Sequence, residues 1–155
     1  MTTILPNLSL LSNLSHKTAI ITGGAGDIGS EIVRLFYKHG ANVVIADLPS
    51  ARKPADALAT SLGSRTIFVP TDITNWQSML NLFAQTKDRF GSVEVVVANA
   101  GIMETKRFFD FDLDENGELK ELDESQNVID VNLKGTMNSL SFLDHIVLDV
   151  SDALF

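Results

Sequence analysis

Thr18-Ala19-Ile20-Ile21-Thr22-Gly23-Gly24-Ala25-Gly26-Asp27-Ile28-Gly29 is the stretch on which the reading of this chain turns. Its first five residues are mostly β-branched and apolar, the composition of a buried strand. Four glycines follow within seven residues. Ile28, Ile32, Leu35 and Phe36 then recur at helical spacing until Gly40 supplies a stop. The expected local order is strand, tight turn, helix. The same alternation continues along the chain. Asn42 to Ala46 reads as a second strand, Ala51 to Leu62 as a helix with Pro54 in its first turn, and Thr66 to Val69 as a short third strand. Thr74 is the expected cap of a helix carrying Trp76, Met79, Leu80, Phe83 and Phe90, stopped by Gly91. Val93 to Ala98 reads as the fourth strand.

Near-continuous apolar strands separated by helices of a dozen residues are what βαβ units require, because a parallel sheet is buried on both faces. The expected fold class is therefore α/β, a doubly wound, Rossmann-like parallel sheet truncated after about four strands. With 155 residues the chain has the size of one domain. Its 45% hydrophobic and 21% charged content is that of an ordinary globular protein. Twelve basic against twenty acidic residues leave a net charge of −8, which argues against nucleic acid or an anionic membrane as the main partner. Without cysteine there is no disulfide framework, thiolate metal site or cysteine nucleophile. His16, His39 and His145 are scattered, so no metal site is expected. No apolar run reaches the length of a membrane helix, and the N-terminal stretch has no basic residue ahead of its apolar part. The expected location is the cytoplasm.

A glycine-rich turn between a strand and a helix lets backbone approach a pyrophosphate, whose charge then sits against the helix N-terminus. Asp47 ends the second strand, eighteen residues past Gly29, the spacing of an acid that hydrogen-bonds the adenosine ribose hydroxyls. Such an acid repels a 2′-phosphate, and no Arg or Lys occurs in the glycine turn, so NAD is preferred over NADP. The other reading of Asp47 is a cap on the turn that follows it.

These residues resemble the short-chain dehydrogenase/reductase family, whose glycine motif is TGxxxGxG. Thr22, Gly23 and Gly29 match it, with Ile28 beside them. Asp72-Ile73 looks like the family's acid-apolar pair at the adenine, and Ala98-Asn99-Ala100-Gly101 resembles its NNAG segment, which steadies the sheet and lines the cofactor groove. Val131-Asn132-Leu133-Lys134-Gly135 resembles the helix that carries the family's catalytic asparagine, here Asn132. The resemblance implies a nicotinamide dinucleotide as cofactor and hydride transfer between NAD and a secondary alcohol or carbonyl. It also implies a homo-oligomer interface on the last helix.

Two departures qualify what is implied. Asp27 stands where the family has the middle glycine. Either it caps the helix N-terminus and faces solvent, where the dipole favours an anion, or it occupies the anion site and weakens cofactor binding. The second departure is chemical. The family uses a serine, a tyrosine and a lysine four residues after it, because a carbonyl oxygen needs an acid as hydride arrives. The only tyrosine, Tyr37, has Ala41 four residues on, and is expected to pack on a helix face. Ser139, Ser141 and Ser151 lie in or just after the asparagine helix and do not stand in for the substrate serine. The chain is thus expected to be an incomplete and inactive oxidoreductase. The alternative is a non-catalytic dinucleotide-binding or interaction module that joins full-length partners.

The expected organisation is an N-terminal extension over 1–16, a dinucleotide-binding domain over 17–140 and an atypical tail over 141–155. Within the domain, 104–124 forms an acidic insertion with nine acidic and three basic residues. Residues 112–123 nearly fit a calcium loop, with Asp123 where a bidentate Glu is usual. The competing reading is a hairpin, with Phe109, Phe111 and Leu113 alternating into an Asn116-Gly117 turn.

Overall fold

The computed structural model describes residues 8–104, 113, 115–119 and 123–142. Four strands, β1 (Thr18–Thr22), β2 (Asn42–Asp47), β3 (Thr66–Pro70) and β4 (Val95–Val97), form one sheet in the order β3-β2-β1-β4. All pairings are parallel, with Ile20 opposite Val44 on one side and Val96 on the other. Parallel neighbours need crossovers, and helices α1 (Asp27–Lys38), α2 (Arg52–Leu62) and α3 (Trp76–Phe90) provide them. The chain lays down β1, β2 and β3 in one direction, then returns to place β4 on the far side of β1. The Rossmann-like α/β expectation is met.

Every residue of β1 is buried, and successive side chains serve opposite faces. Ala19 and Ile21 meet Val43, Ile45, Val33 of α1, and Ala55 and Leu58 of α2. Ile20 meets Val44, Val69, and Met79, Leu82 and Phe83 of α3. Two apolar layers therefore hold a sheet with no polar face. A last helix, α4 (Asp123–Ile129), runs through a π-helical segment, Asp130–Gly135, and returns to α-helix over 136–142. Its Phe142, in the stretch read as the start of the tail, stacks on Phe83 with ring centroids 4.8 Å apart and on Trp76 at 4.5 Å.

Several local expectations are corrected. The core face of α1 is Val33 with Gly29, while Ile28 is 73% and Leu35 40% exposed, because the buried stripe is rotated by about one residue position from the one assumed. Trp76 and Leu80 of α3 are also largely exposed, although Trp76 keeps its contact with Phe142. The cap of α3 is Asn75, whose Oδ1 accepts from Ser78 N at 2.9 Å. Thr74 lies one residue before the cap position, and its hydroxyl donates to Asp72 Oδ1 at 2.7 Å. Strand β4 is shorter than Val93 to Ala98. Glu94 instead spends its carboxylate on Thr18 N (2.7 Å) and its backbone N–H on Thr18 O (3.0 Å).

In the acidic segment Leu113 and Leu119 form an antiparallel bridge across a turn in which Gly117 has φ +77°. That is hairpin geometry. Phe109, Phe111, Asp112 and Asp114 lie outside the described residues, so the calcium reading is not reached. Tyr37 packs as expected, under the Arg65 guanidinium at 4.0 Å from the ring centroid.

The rotation of α1 sets a stability contrast. Ile45→Ala, fully buried in β2, is expected to cost about 2–4 kcal/mol in urea denaturation. Ile28→Ala is expected to cost less than about 0.5 kcal/mol.

Candidate functional site

Parallel strands deliver their C-terminal ends to one rim, and the chain reverses direction between β1 and β4. A ligand crevice is expected at such a switch point, outside the strand ends. A cavity of about 430 Å³ opens there. Its walls are built from all four strand exits: Gly23 after β1, Asp47 at the end of β2, Asp72 and Ile73 after β3, and Asn99, Ala100 and Gly101 after β4. Ile28 and Gly29 of α1 complete the near wall. Nine of the eleven residues expected at a cofactor or catalytic site thus share one cavity. Thr22, which is buried, and Asn132, which is exposed, are not among its lining residues.

Thr22 is buried and organises the junction. Its Oγ1 donates to Val97 O at 3.3 Å and accepts from Asn99 N at 3.0 Å and Ala100 N at 3.1 Å. Asn99 reciprocates, donating through Nδ2 to Thr22 O at 3.0 Å and Gly23 O at 3.2 Å. Few other residue types fit here. Gly23 has φ +63°, and a Cβ on it would stand 2.8 Å from Ala100 Cα. A Cβ on Gly29 would collide with Gly23 O, so α1 begins as close to the end of β1 as backbone permits.

Asp47 spans the glycine turn. Its Oδ2 accepts from Ala25 N at 2.9 Å, and its Oδ1 from Leu48 N at 2.8 Å. The second bond is the local cap foreseen for it; the first ties β2 to the turn after β1, and the carboxylate still borders the cavity. Asp72 is held by Thr74, from its N–H at 2.9 Å and its hydroxyl at 2.7 Å. Asn132, in the π-helical segment, accepts from Ile102 N and donates to Ile102 O, both at 2.9 Å. Its amide therefore pins the last helix to the exit of β4.

Sequence reasoning missed Ile102, Leu48 and Thr71 as lining residues. Nothing in their type marks them; each merely stands next to a motif residue on the rim. Among the described residues three carboxylates line the cavity, from Asp27, Asp47 and Asp72, and neither Lys nor Arg does. Among the described residues no group of three or more His, Cys, Asp or Glu is placed to hold a metal ion.

Comparisons with known proteins bear on the family and the fold. The family model for short chain dehydrogenases matches residues 17–147. The chain belongs to the short-chain dehydrogenase family. It is 31% identical over 125 residues to 3-hydroxyacyl-CoA dehydrogenase type-2 of Drosophila melanogaster, covering 81% of this chain and 47% of that protein. Among solved structures it is similar to the short-chain dehydrogenase/reductase (glucose/ribitol dehydrogenase) of Brucella melitensis, with 28% identity and a TM-score of 0.73 over 85% of this chain and 50% of that one. It is also similar to the 3-ketoacyl-(acyl-carrier-protein) reductase of that organism complexed with NADH, with 28% identity and a TM-score of 0.71 over 86% and 51%. The chain spans less than half the length of curated relatives it matches. Among the described residues no helix is long and apolar enough to cross a membrane.

The lacing of this short-chain dehydrogenase rim is testable. Thr22→Val keeps the shape but leaves the Ala100 N–H without its acceptor and Asn99 N–H with Val97 O alone, and is expected to cost about 1–3 kcal/mol. Thr22→Ser is expected to restore most of it. Denaturant titration with amide exchange at Asn99 and Ala100 measures both.

Proposed function

We propose that this chain is the cofactor-binding portion of an NAD-dependent short-chain oxidoreductase acting on a secondary alcohol or carbonyl. One observation carries the reading: nine of the family's motif residues, from Gly23 to Gly101, line a single cavity at the switch point of the sheet. The site suits the cofactor chemically. Gly26 caps α1 without a side chain, so the first helical N–H groups open onto the cavity, and Gly23 and Gly29 leave no Cβ in the way. Gly23, Ile28 and Gly29 would hold the diphosphate, on a turn that Thr22 steadies from beneath. Asp47 would take the adenosine ribose hydroxyls through the lone pairs that Ala25 and Leu48 leave free. Asp72 and Ile73 would hold the adenine, and Asn99, Ala100 and Gly101 would line the groove beyond it.

Bound there, NAD supplies a hydride acceptor. The chain's own contribution is placement: backbone donors at the diphosphate, a carboxylate at the ribose and an apolar wall of Ala46, Ile73 and Val131 that keeps water from the adenine. Asn132 is the residue assigned to catalysis, as the organiser of the rim beside the reacting end. The preference for NAD over NADP rests on Asp47, whose charge opposes a 2′-phosphate. The structure with NADH in the Brucella melitensis reductase supports the choice of a nicotinamide dinucleotide. Proton transfer needs a further acid or base, since no Tyr-x-x-x-Lys occurs in these 155 residues.

A second reading, a non-catalytic module that associates with other chains, is favoured by one feature. Ile129, Leu133, Met137 and Leu140 make an exposed apolar stripe along the last helix.

Calorimetric titration tests the cofactor site. NAD is expected to bind more tightly than NADP, and Asp47→Asn is expected to weaken NAD about tenfold while narrowing that preference. Tighter binding of NADP by the unaltered chain would overturn the assignment. Reduction of NAD in the presence of a panel of secondary alcohols, followed by absorbance, separates the two readings. The oxidoreductase gives turnover, and the module binds NAD with no rate above background.

A further inference from the structure

Asp27 is the first residue of α1 and lies on the wall of the cavity, exposed to solvent. It differs from the two other carboxylates there. Asp47 is held by the N–H groups of Ala25 and Leu48, and Asp72 by the N–H and hydroxyl of Thr74. Among the described residues the Asp27 carboxylate has no hydrogen-bond partner and no cation lines the cavity to offset it. Gly26 provides no side-chain cap, so the positive end of the α1 dipole faces the same space. That end is where the diphosphate of the proposed cofactor would rest.

We infer that Asp27 is a specificity-determining residue of this site, which makes affinity for phosphorylated ligands depend on charge in the unusual sense: stronger as salt rises. The inference rests on the cofactor reading above. Both roles open to Asp27 in the sequence come from one placement. In the free protein the helix dipole stabilises the carboxylate. When a diphosphate arrives, the carboxylate and the ligand compete for the same positive end, and like charges repel. Salt screens that repulsion, whereas it would weaken an anion held by lysine or arginine. An uncharged nucleoside occupying only the adenine and ribose positions is indifferent to Asp27.

Adenosine and ADP-ribose are the probes, titrated calorimetrically into the unaltered chain and Asp27→Asn at about 20 mM and about 200 mM salt. Circular dichroism melting confirms that both are folded. Asp27→Asn is expected to tighten ADP-ribose about fivefold at the lower salt and leave adenosine unchanged. The unaltered chain is expected to bind ADP-ribose more tightly at the higher salt, and the variant to show less of that dependence. An ADP-ribose affinity that is unchanged or reduced in the variant, with adenosine bound normally, overturns the inference and leaves the cofactor reading standing. Failure of both folded proteins to bind either ligand overturns the cofactor reading, and this inference with it.

Discussion

The structure depends on how closely α1 can begin to the end of β1. Strand β1 is paired on both edges and buried on both faces, so the chain cannot leave it sideways. It must turn within a few residues, with the Gly29 backbone against the Gly23 carbonyl, a contact that excludes any side chain. From that contact the rest follows. It aims the start of α1 over the rim, brings Ala25 N within reach of Asp47, and leaves the space beside Gly23 that Asn99 and Ala100 fill.

The hydrogen bonds around the rim show why such a turn holds. A tight turn exposes several backbone groups at once, and buried ones without partners are costly. Thr22 and Asn99 satisfy most of them reciprocally across the β1–β4 gap, and Asp47 does so across the β1–β2 gap. Asn132 closes the circle through Ile102. The same residues that steady the sheet therefore shape the cavity, and their two functions cannot be separated by a single substitution. The electrostatic character of the rim is mixed: backbone N–H groups offer positive ends, while among the described residues three carboxylates and no lining cation surround them.

Much of this was legible in the sequence because its signals are local. A β-branched run before a glycine cluster dictates strand and turn, and Asp47 and Asp72 stand directly after strands, so their arrival at a common rim follows from parallel topology. What failed did so for tertiary reasons. Helical periodicity fixes the spacing of a buried face but not its rotation, and Val33 displaced Ile28 and Leu35 because the sheet is approached from the glycine contact. Thr74 and Asn75 are both good caps by type. Asn75 takes the role, and Thr74 turns its hydroxyl to Asp72.

By itself the sequence determined the βαβ order, the place of the turn, and which residue types reach the strand ends, since these follow from period, composition and spacing along one chain. Only the tertiary structure decided that β4 returns beside β1, that Thr22 is buried and does not line the cavity, and that Ile102 and Leu48 border it. It also decided that, among the described residues, Asp27 alone of the three acids there is unpaired. Each of these depends on which distant segments meet, and a hydrogen bond between residues 22 and 99 leaves no trace in the residues between them.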